Sequence, residues 1–505
     1  MAARIVPLIA AVSLAALTFG PLSVVLAWAE GIGTLRLAEW QAVRFTLWQA
    51  FLSALASCLI AVPIARALAR RRFPGRSLLI TFLGAPFILP VIVAVMGLLA
   101  VFGQSGLVNI VLNAFGVKRL DIYGLHGVVV AHVFFNLPLA VRILLQAWLA
   151  LPQERFRLAD ALGLSPKARF LALEWPLIRR VLPGAFGIIF VICLTSFAVA
   201  LTLGGGPRAT TVELAIYQAM RFDFEPGRAA ALALLQLGLG LAAGLVALWL
   251  AQGEGLGTGL DRRAGPRGGG TRLGLWLDCG WLSLASGFLL VPLAMVILRG
   301  VAGLAELDGA ILKAAWHSIL VSTASTVLCL LWALPLAGRK MSLVSLASIA
   351  ISPLVLGTGL FLILRPVVNP FEMALPVTAV VNALMALPFA LRILSPEAEA
   401  VERDYGRLRA SLRLTTLAWL RWVWFPRLRR PLGFAAGLTA ALAMGDLGVI
   451  ALFADPDHAT LPLQVYRLMG SYRMDAAAGA ALLLMMLSLG VFWLCDRGGR
   501  VDATV

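Results

Sequence analysis

The feature that most constrains this chain is a succession of apolar stretches, each about 20 residues or longer and nearly free of charge. A helix of that length crosses the hydrocarbon core of a bilayer. In lipid the backbone must satisfy its own hydrogen bonds, so each stretch is expected to be a helix. The stretches read 5–29, 43–65, 78–102, 124–150, 181–203 and 229–251, then 274–298, 312–337, 342–364, 374–394, 432–453 and 476–495. The expectation is an all-α membrane protein with about twelve transmembrane helices. A shorter apolar piece, 106–115, is too short to span and is expected to lie in an external loop or to re-enter. The first stretch begins just after Arg4 and could pass for a signal peptide. It runs to about Trp28 without a clean small-residue cleavage site before Glu30, and reads as a retained helix.

Of the 505 residues, 61% are hydrophobic and 13% charged, about half the charged share of an ordinary soluble domain. The net charge of +17 would suggest nucleic acid on a soluble chain. Here the basic residues alternate with the apolar stretches. Arg4, Arg70 to Arg72 with Arg76, the segments 151–180, 252–273 and 395–430, Arg339 with Lys340, and Arg497 with Arg500 fall on one side. The other side carries acids such as Glu30, Glu39, Asp121 and Asp455. Basic loops stay in the cytoplasm, so both termini are expected there and no nucleic-acid partner is. Lipid is the expected surround. The five cysteines show no CxxC pair and read as small packing residues. The spacings show neither a metal-ligand set nor a phosphate-binding GxxxxGK[ST] loop, so no cofactor and no catalytic residues are expected.

The chain repeats itself. Leu137-Pro138-Leu139-Ala140-Val141-Arg142-Ile143-Leu144 matches Leu387-Pro388-Phe389-Ala390-Leu391-Arg392-Ile393-Leu394 at an offset of 250. At the same offset Arg157-Leu158 matches Arg407-Leu408, Pro176 matches Pro426, and Gly187 matches Gly437. Pro63 and Pro335 occupy similar places near the ends of the second stretch of each half. An even number of spans per copy gives two parallel six-helix repeats about an axis along the membrane normal. The expected division is 1–251, a Gly- and Arg-rich cytoplasmic linker 252–273, and 274–505.

The two longest basic loops are the repeated ones. In Glu154-Arg155-Phe156-Arg157-Leu158-Ala159-Asp160-Ala161-Leu162-Gly163-Leu164-Ser165-Pro166, Leu158, Ala161 and Leu162 recur at helical spacing. Gly163 can end a short surface helix, and Ser165-Pro166 can start the next. Ala159, Gly163 and Pro176 resemble the cytoplasmic loop pattern of binding-protein-dependent ABC importer permeases. The resemblance implies a helix that docks into an ATPase subunit and moves when ATP is bound and hydrolysed. Its residues would be Leu158, Ala159, Asp160, Ala161, Gly163 and Ser165, with Leu408, Ser411, Leu412 and Arg413 in the second copy. Arg413 stands where the pattern has glycine, and Arg407 where it has an acid. A basic, lipid-facing surface helix is the alternative reading of both loops.

Further segments narrow the resemblance: His132 to Pro138, Leu203 to Gln218, Gly445 to Phe453, Leu461-Pro462 and Gly470 to Arg473. Over nearly the whole chain these look like the fused, two-halved permease of the thiamine and thiamine pyrophosphate importer, with fused ferric-iron permeases as the rival. The resemblance implies a bacterial inner-membrane protein, a periplasmic thiamine-binding protein, two copies of an ATPase subunit that bind the ATP, and alternating access. A secondary carrier or an intramembrane enzyme is the alternative of a different class.

Four polar residues inside the stretches are candidates for a pathway or gate. Asp446 is an acid in an apolar span, and its repeat mate is Ser196. His132 and Asn136 lie one turn apart on one face, where bonds between helices are the plainer account. Arg142 and Arg392 need only snorkel to phosphates. Tyr217 and Tyr466 are matched in segments that read as external loops.

Overall fold

The computed structural model describes residues 2–29, 36–83, 88–206, 209–250, 272–338, 351–453 and 457–499. Most of the expected linker, residues 342–350 of the ninth stretch, Glu30, Pro207, Arg208, Arg339, Lys340, Asp455 and Arg500 lie outside them. The described residues are helical and contain no strand. Eleven of their helices are long and apolar enough to cross a membrane.

The first half runs α1 (Ala2–Trp28), α2 (Leu37–Arg70), α3 (Arg76–Phe82), α4 (Val91–Phe102), α5 (Leu107–Ala114), α6 (Leu125–Leu149), α7 (Gln153–Ala161), α8 (Pro166–Arg169), α9 (Trp175–Leu194), α10 (Ala198–Leu203), α11 (Val212–Arg221) and α12 (Pro226–Leu250). The second runs α13 (Arg272–Gly303), α14 (Gly309–Leu336), α15 (Pro353–Leu364), α16 (Ala374–Ser411), α17 (Thr416–Trp419), α18 (Phe425–Met444), α19 (Gly448–Phe453), α20 (Leu461–Gly470) and α21 (Met474–Gly499). Among the described residues the elements that the halves share follow in the same order, with α6 and α7 together corresponding to α16 and with no counterpart described for α3 or α5. The 106–115 piece is α5, a short helix directly after α4.

Five of the expected spans change shape. The 78–102 stretch is two helices, because Pro90 sits in extended geometry before α4 and a proline restricts the chain ahead of it. In the second half α15 starts at Pro353 after Ser352, whose hydroxyl accepts from the Leu354 N–H. The 181–203 and 432–453 stretches each break near their ends, at residues 195–197 and 445–447. The 374–394 stretch continues as helix to Ser411. Its counterpart α6 stops at Leu149 because Pro152 caps α7, and Glu402 replaces that proline in the second copy.

The halves interlock by exchanging their first helices. Helix α1 packs on α14 and α15 of the second half, and α13 packs on α2 and α4 of the first. Glycines make both crossings possible. A Cβ built on Gly97 would lie 2.6 Å from the Pro292 carbonyl oxygen, and one on Gly359 would lie 2.5 Å from that of Pro21. Small residues at such contacts let backbones approach where lipid supplies no hydrophobic drive. Gly359→Val is therefore expected to cost about 1–3 kcal/mol through overpacking. A lower melting temperature in detergent checks this, and an unchanged one argues that α1 can shift freely. Gly187 and Gly437 play a related part where α9 meets α12 and α18 meets α21.

All five cysteines are free, and Cys58, Cys193 and Cys329 are buried.

Candidate functional site

The repeated basic loops fold into one turn made twice. In the first, the Leu164 N–H donates to the Ala159 carbonyl (3.0 Å) and the Gly163 N–H to the Asp160 carbonyl (3.1 Å). In the second, Leu414 donates to Arg409 (3.1 Å) and Arg413 to Ala410 (3.3 Å). This is the Schellman end of a helix, which needs a left-handed residue just past the cap. Gly163 supplies it at φ +63° and Arg413 at φ +47°. A hydroxyl then restarts the chain in each: Ser165 accepts from the Ala168 N–H and Thr415 from the Ala418 N–H, both at 3.3 Å. A π-helical turn follows at Phe170–Glu174 and at Leu420–Trp424 and leads into α9 and α18. The sequence reading anticipated the turn at Gly163 and missed both π turns, whose extra residue per turn carries no compositional mark.

Arg413 keeps the turn at a cost. A side chain in the left-handed region is disfavoured by about 1–2 kcal/mol, and glycine is not. Arg413 is exposed, so little else is lost with it. Arg413→Gly is expected to stabilise the second turn by about 1 kcal/mol. Slower amide exchange over 408–415 reads this out, and faster exchange contradicts it.

Each turn is tied to the helix that follows it, by different chemistry. Asp160 pairs with Arg169 at 2.7 Å in the first copy. In the second, the Arg409 guanidinium lies over the Trp419 ring, 5.2 Å from its centre. The burial of α7 differs from the face its spacing suggests. Phe156 and Ala159 seat the helix against the bundle, while Leu158 and Leu162 stand 61% and 65% exposed. Leu408 and Leu412 are likewise exposed. Asp160, Ala161, Gly163, Ser165, Ser411 and Arg413 are exposed around them. Each half thus presents a rigid turn carrying two uncovered leucines.

Ser196 and Asp446 stand at the far ends of α9 and α18, about 30 Å along the helix from the turns. They meet in one cavity of about 340 Å³ between the halves. Asp446 Oδ1 accepts the Gly448 N–H at 3.1 Å, and the Asn382 amide faces the same carboxylate. His132 and Asn136 do not line this cavity. His132 Nδ1 lies 3.2 Å from the Ser53 hydroxyl, and Asn136 donates to its own helix and to Cys193 Sγ. The repeat mate of His132 is Asn382, which does line the cavity.

Glu213 also lines the cavity, and sequence reasoning passed over it as part of an external loop. It belongs to α11, a short helix folded back into the bundle, whose Val212 N–H donates to Thr46 Oγ1 at 2.9 Å. The second copy repeats this latch from the Leu461 N–H to Ser318 Oγ at 2.8 Å. Tyr217 and Tyr466 accordingly lie within α11 and α20 and pack on the core, not in external loops. The ring of Tyr217 meets those of Phe197 and Phe222 edge-on. The available signal was Glu213 and Tyr217, four residues apart and so on one helix face, in an otherwise apolar run.

Residues 60–255 match the family described as binding-protein-dependent transport system inner membrane component. The chain is 41% identical to the thiamine transport system permease protein of Brucella abortus, over 91% of this chain and 87% of that one. It is 40% identical to that of Escherichia coli over 91% and 89%. Against that of Haemophilus influenzae it is 32% identical over 88% and 86%. An identity of this level over nearly the full length of both chains, on a multi-span helical fold, shows that the chain belongs to the family of thiamine transport system permease proteins, inner-membrane components of binding-protein-dependent transport.

Proposed function

We propose that this chain is the permease of an ATP-driven importer that carries thiamine and its phosphate esters across the inner membrane. A substrate-binding protein delivers the vitamin at the external face. Two ATPase subunits bind the two turns from the cytoplasm, one on Leu158 to Ser165 and one on Leu408 to Arg413. ATP is bound and hydrolysed there, and this chain is not itself an enzyme and holds no cofactor. Both termini are cytoplasmic, and 1–251 and 274–505 are the two halves of one translocation unit joined by 252–273.

The observation that carries this reading is the twice-made turn with its uncovered leucine pairs. A surface helix that only floats on lipid has no need of a rigid cap repeated in each half at an energetic cost. A turn that transmits force does. Each turn runs through a π segment into a helix that ends at the cavity, so movement of the turn tilts a wall of the pathway. The paired docking turns give alternating access a mechanical basis: when the ATPases close, both walls move together. The likeness to the named thiamine permeases supports the choice of substrate.

Cells lacking this chain are expected to lose high-affinity thiamine uptake while ferric-iron uptake stays normal. Loss of iron uptake with thiamine uptake intact would move the substrate assignment to the rival.

A further inference from the structure

We propose that Glu213 and Asp446 together form a binding station for an organic cation in the cavity between the halves, and that its occupant is the quaternary thiazolium ring of thiamine. The proposal rests on the permease reading above and extends it to the residues that hold the cargo.

The two acids are unlike ordinary buried carboxylates. Glu213 has no exposed surface, and among the described residues neither of its carboxylate oxygens has a hydrogen-bond partner. Ser352 and Gln236 face it without reaching bonding geometry. The Ser352 hydroxyl is turned to the Leu354 N–H, and the Gln236 amide donates to the Leu194 carbonyl. Asp446 uses one oxygen on the Gly448 N–H, and its other oxygen is buried without a partner. Neither acid takes part in any ion pair found among the described residues. Buried charge is paired or costly. Among the described residues the acids other than Glu213 with under a tenth of their surface exposed obey the rule, Glu39 pairing with Arg228, Glu174 with Arg66 and Asp278 with Arg71, while half-buried Glu154 keeps one buried oxygen without a partner.

The fold does not require either acid. The repeat mate of Asp446 is Ser196, and Pro462 holds the place of Glu213 at the start of α20. Each half nevertheless builds the same break and the same latched helix. The acids are therefore additions to a frame that stands without them, one from each half, set in the wall of one cavity.

The rest of the lining suits a flat cation. Phe197 and Phe389 contribute aromatic rings, and Met385 a polarisable thioether. A volume of about 340 Å³ is within the roughly 300–1,000 Å³ of small-molecule sites. An occupant with a fixed positive charge supplies what both carboxylates lack. A station made jointly by the two halves is also released when they separate, because each acid then loses its share of the contact.

The test uses the complete transporter, with its binding protein and ATPase subunits, in proteoliposomes. Glu213→Gln and Asp446→Asn are each expected to lower thiamine uptake about tenfold or more, the order expected for losing a charged partner. Glu213→Asp keeps the charge and is expected to retain more uptake than Glu213→Gln. Co-purification with the ATPase subunits confirms assembly of each variant. Labelling of Ser196→Cys by a small thiol reagent, expected to slow when thiamine is added, reads occupancy without touching either acid. Variants that transport within twofold of the parent, or labelling that thiamine does not slow, overturn the station and leave the permease reading standing. A parent complex that moves no thiamine overturns both.

Discussion

Leu162→Asp combined with Leu412→Asp is expected to abolish ATP-driven uptake while leaving the protein folded. The two leucines are 65% and 60% exposed, so a charge there meets water and costs the free chain little. In the proposed complex each one enters an apolar cleft of an ATPase subunit. Central apolar anchors of an interface are worth about 2 kcal/mol or more, roughly 30-fold in affinity for each turn. Both turns must engage for the ATPases to close as a pair, so the double variant should lose far more than either single one. Co-purification with the ATPase and uptake should fall together, with the melting temperature unchanged. Full uptake by the double variant would return the turns to the lipid-surface reading.

Glu174→Ala is expected to have the largest effect on stability. Glu174 closes the first π turn, and its carboxylate is 4% exposed against the Arg66 guanidinium of α2. Arg66 also stacks on Phe170 of the same turn, 5.0 Å from the ring centre. Removing Glu174 leaves Arg66, itself 30% exposed, without its charged partner, at about 1.5–3 kcal/mol. Replacing both charges, as Arg66→Met with Glu174→Leu, should recover much of that loss, because the desolvation cost disappears with them. Thermal unfolding in detergent compares the three proteins. Equal melting of Glu174→Ala and the parent would show the pair to be dispensable. The second copy has Gly338 and Trp424 at the corresponding places, so only the first turn is clamped in this way.

The spans, the repeat and the paired turns were legible because each leaves a local mark. Twenty apolar residues, a proline recurring at one offset, and a glycine followed by Ser-Pro can all be read without knowing what touches what. Arg413 shows where a local mark fails. Its identity contradicts the turn, yet the capping bonds and Thr415 hold it left-handed. The breaks near Ser196 and Asp446 were hidden because apolar composition continues through them. Glu213 was hidden because an acid between two apolar helices reads as loop, and its burial depends on Thr46 of a distant helix.

By itself, then, the sequence determined that the chain is a helical membrane protein made of two alike halves, each with one basic turn. Periodicity and length decide those properties, and they act within a segment. Only the tertiary structure decided which helix belongs with which. The exchange of α1 and α13 rests on Gly97 meeting Pro292 and Gly359 meeting Pro21, contacts between residues almost two hundred or more than three hundred positions apart. The same packing set His132 against Ser53 and brought Glu213 of one half to Asp446 of the other. Such meetings follow from close approach of backbones in three dimensions, which no spacing along the chain encodes.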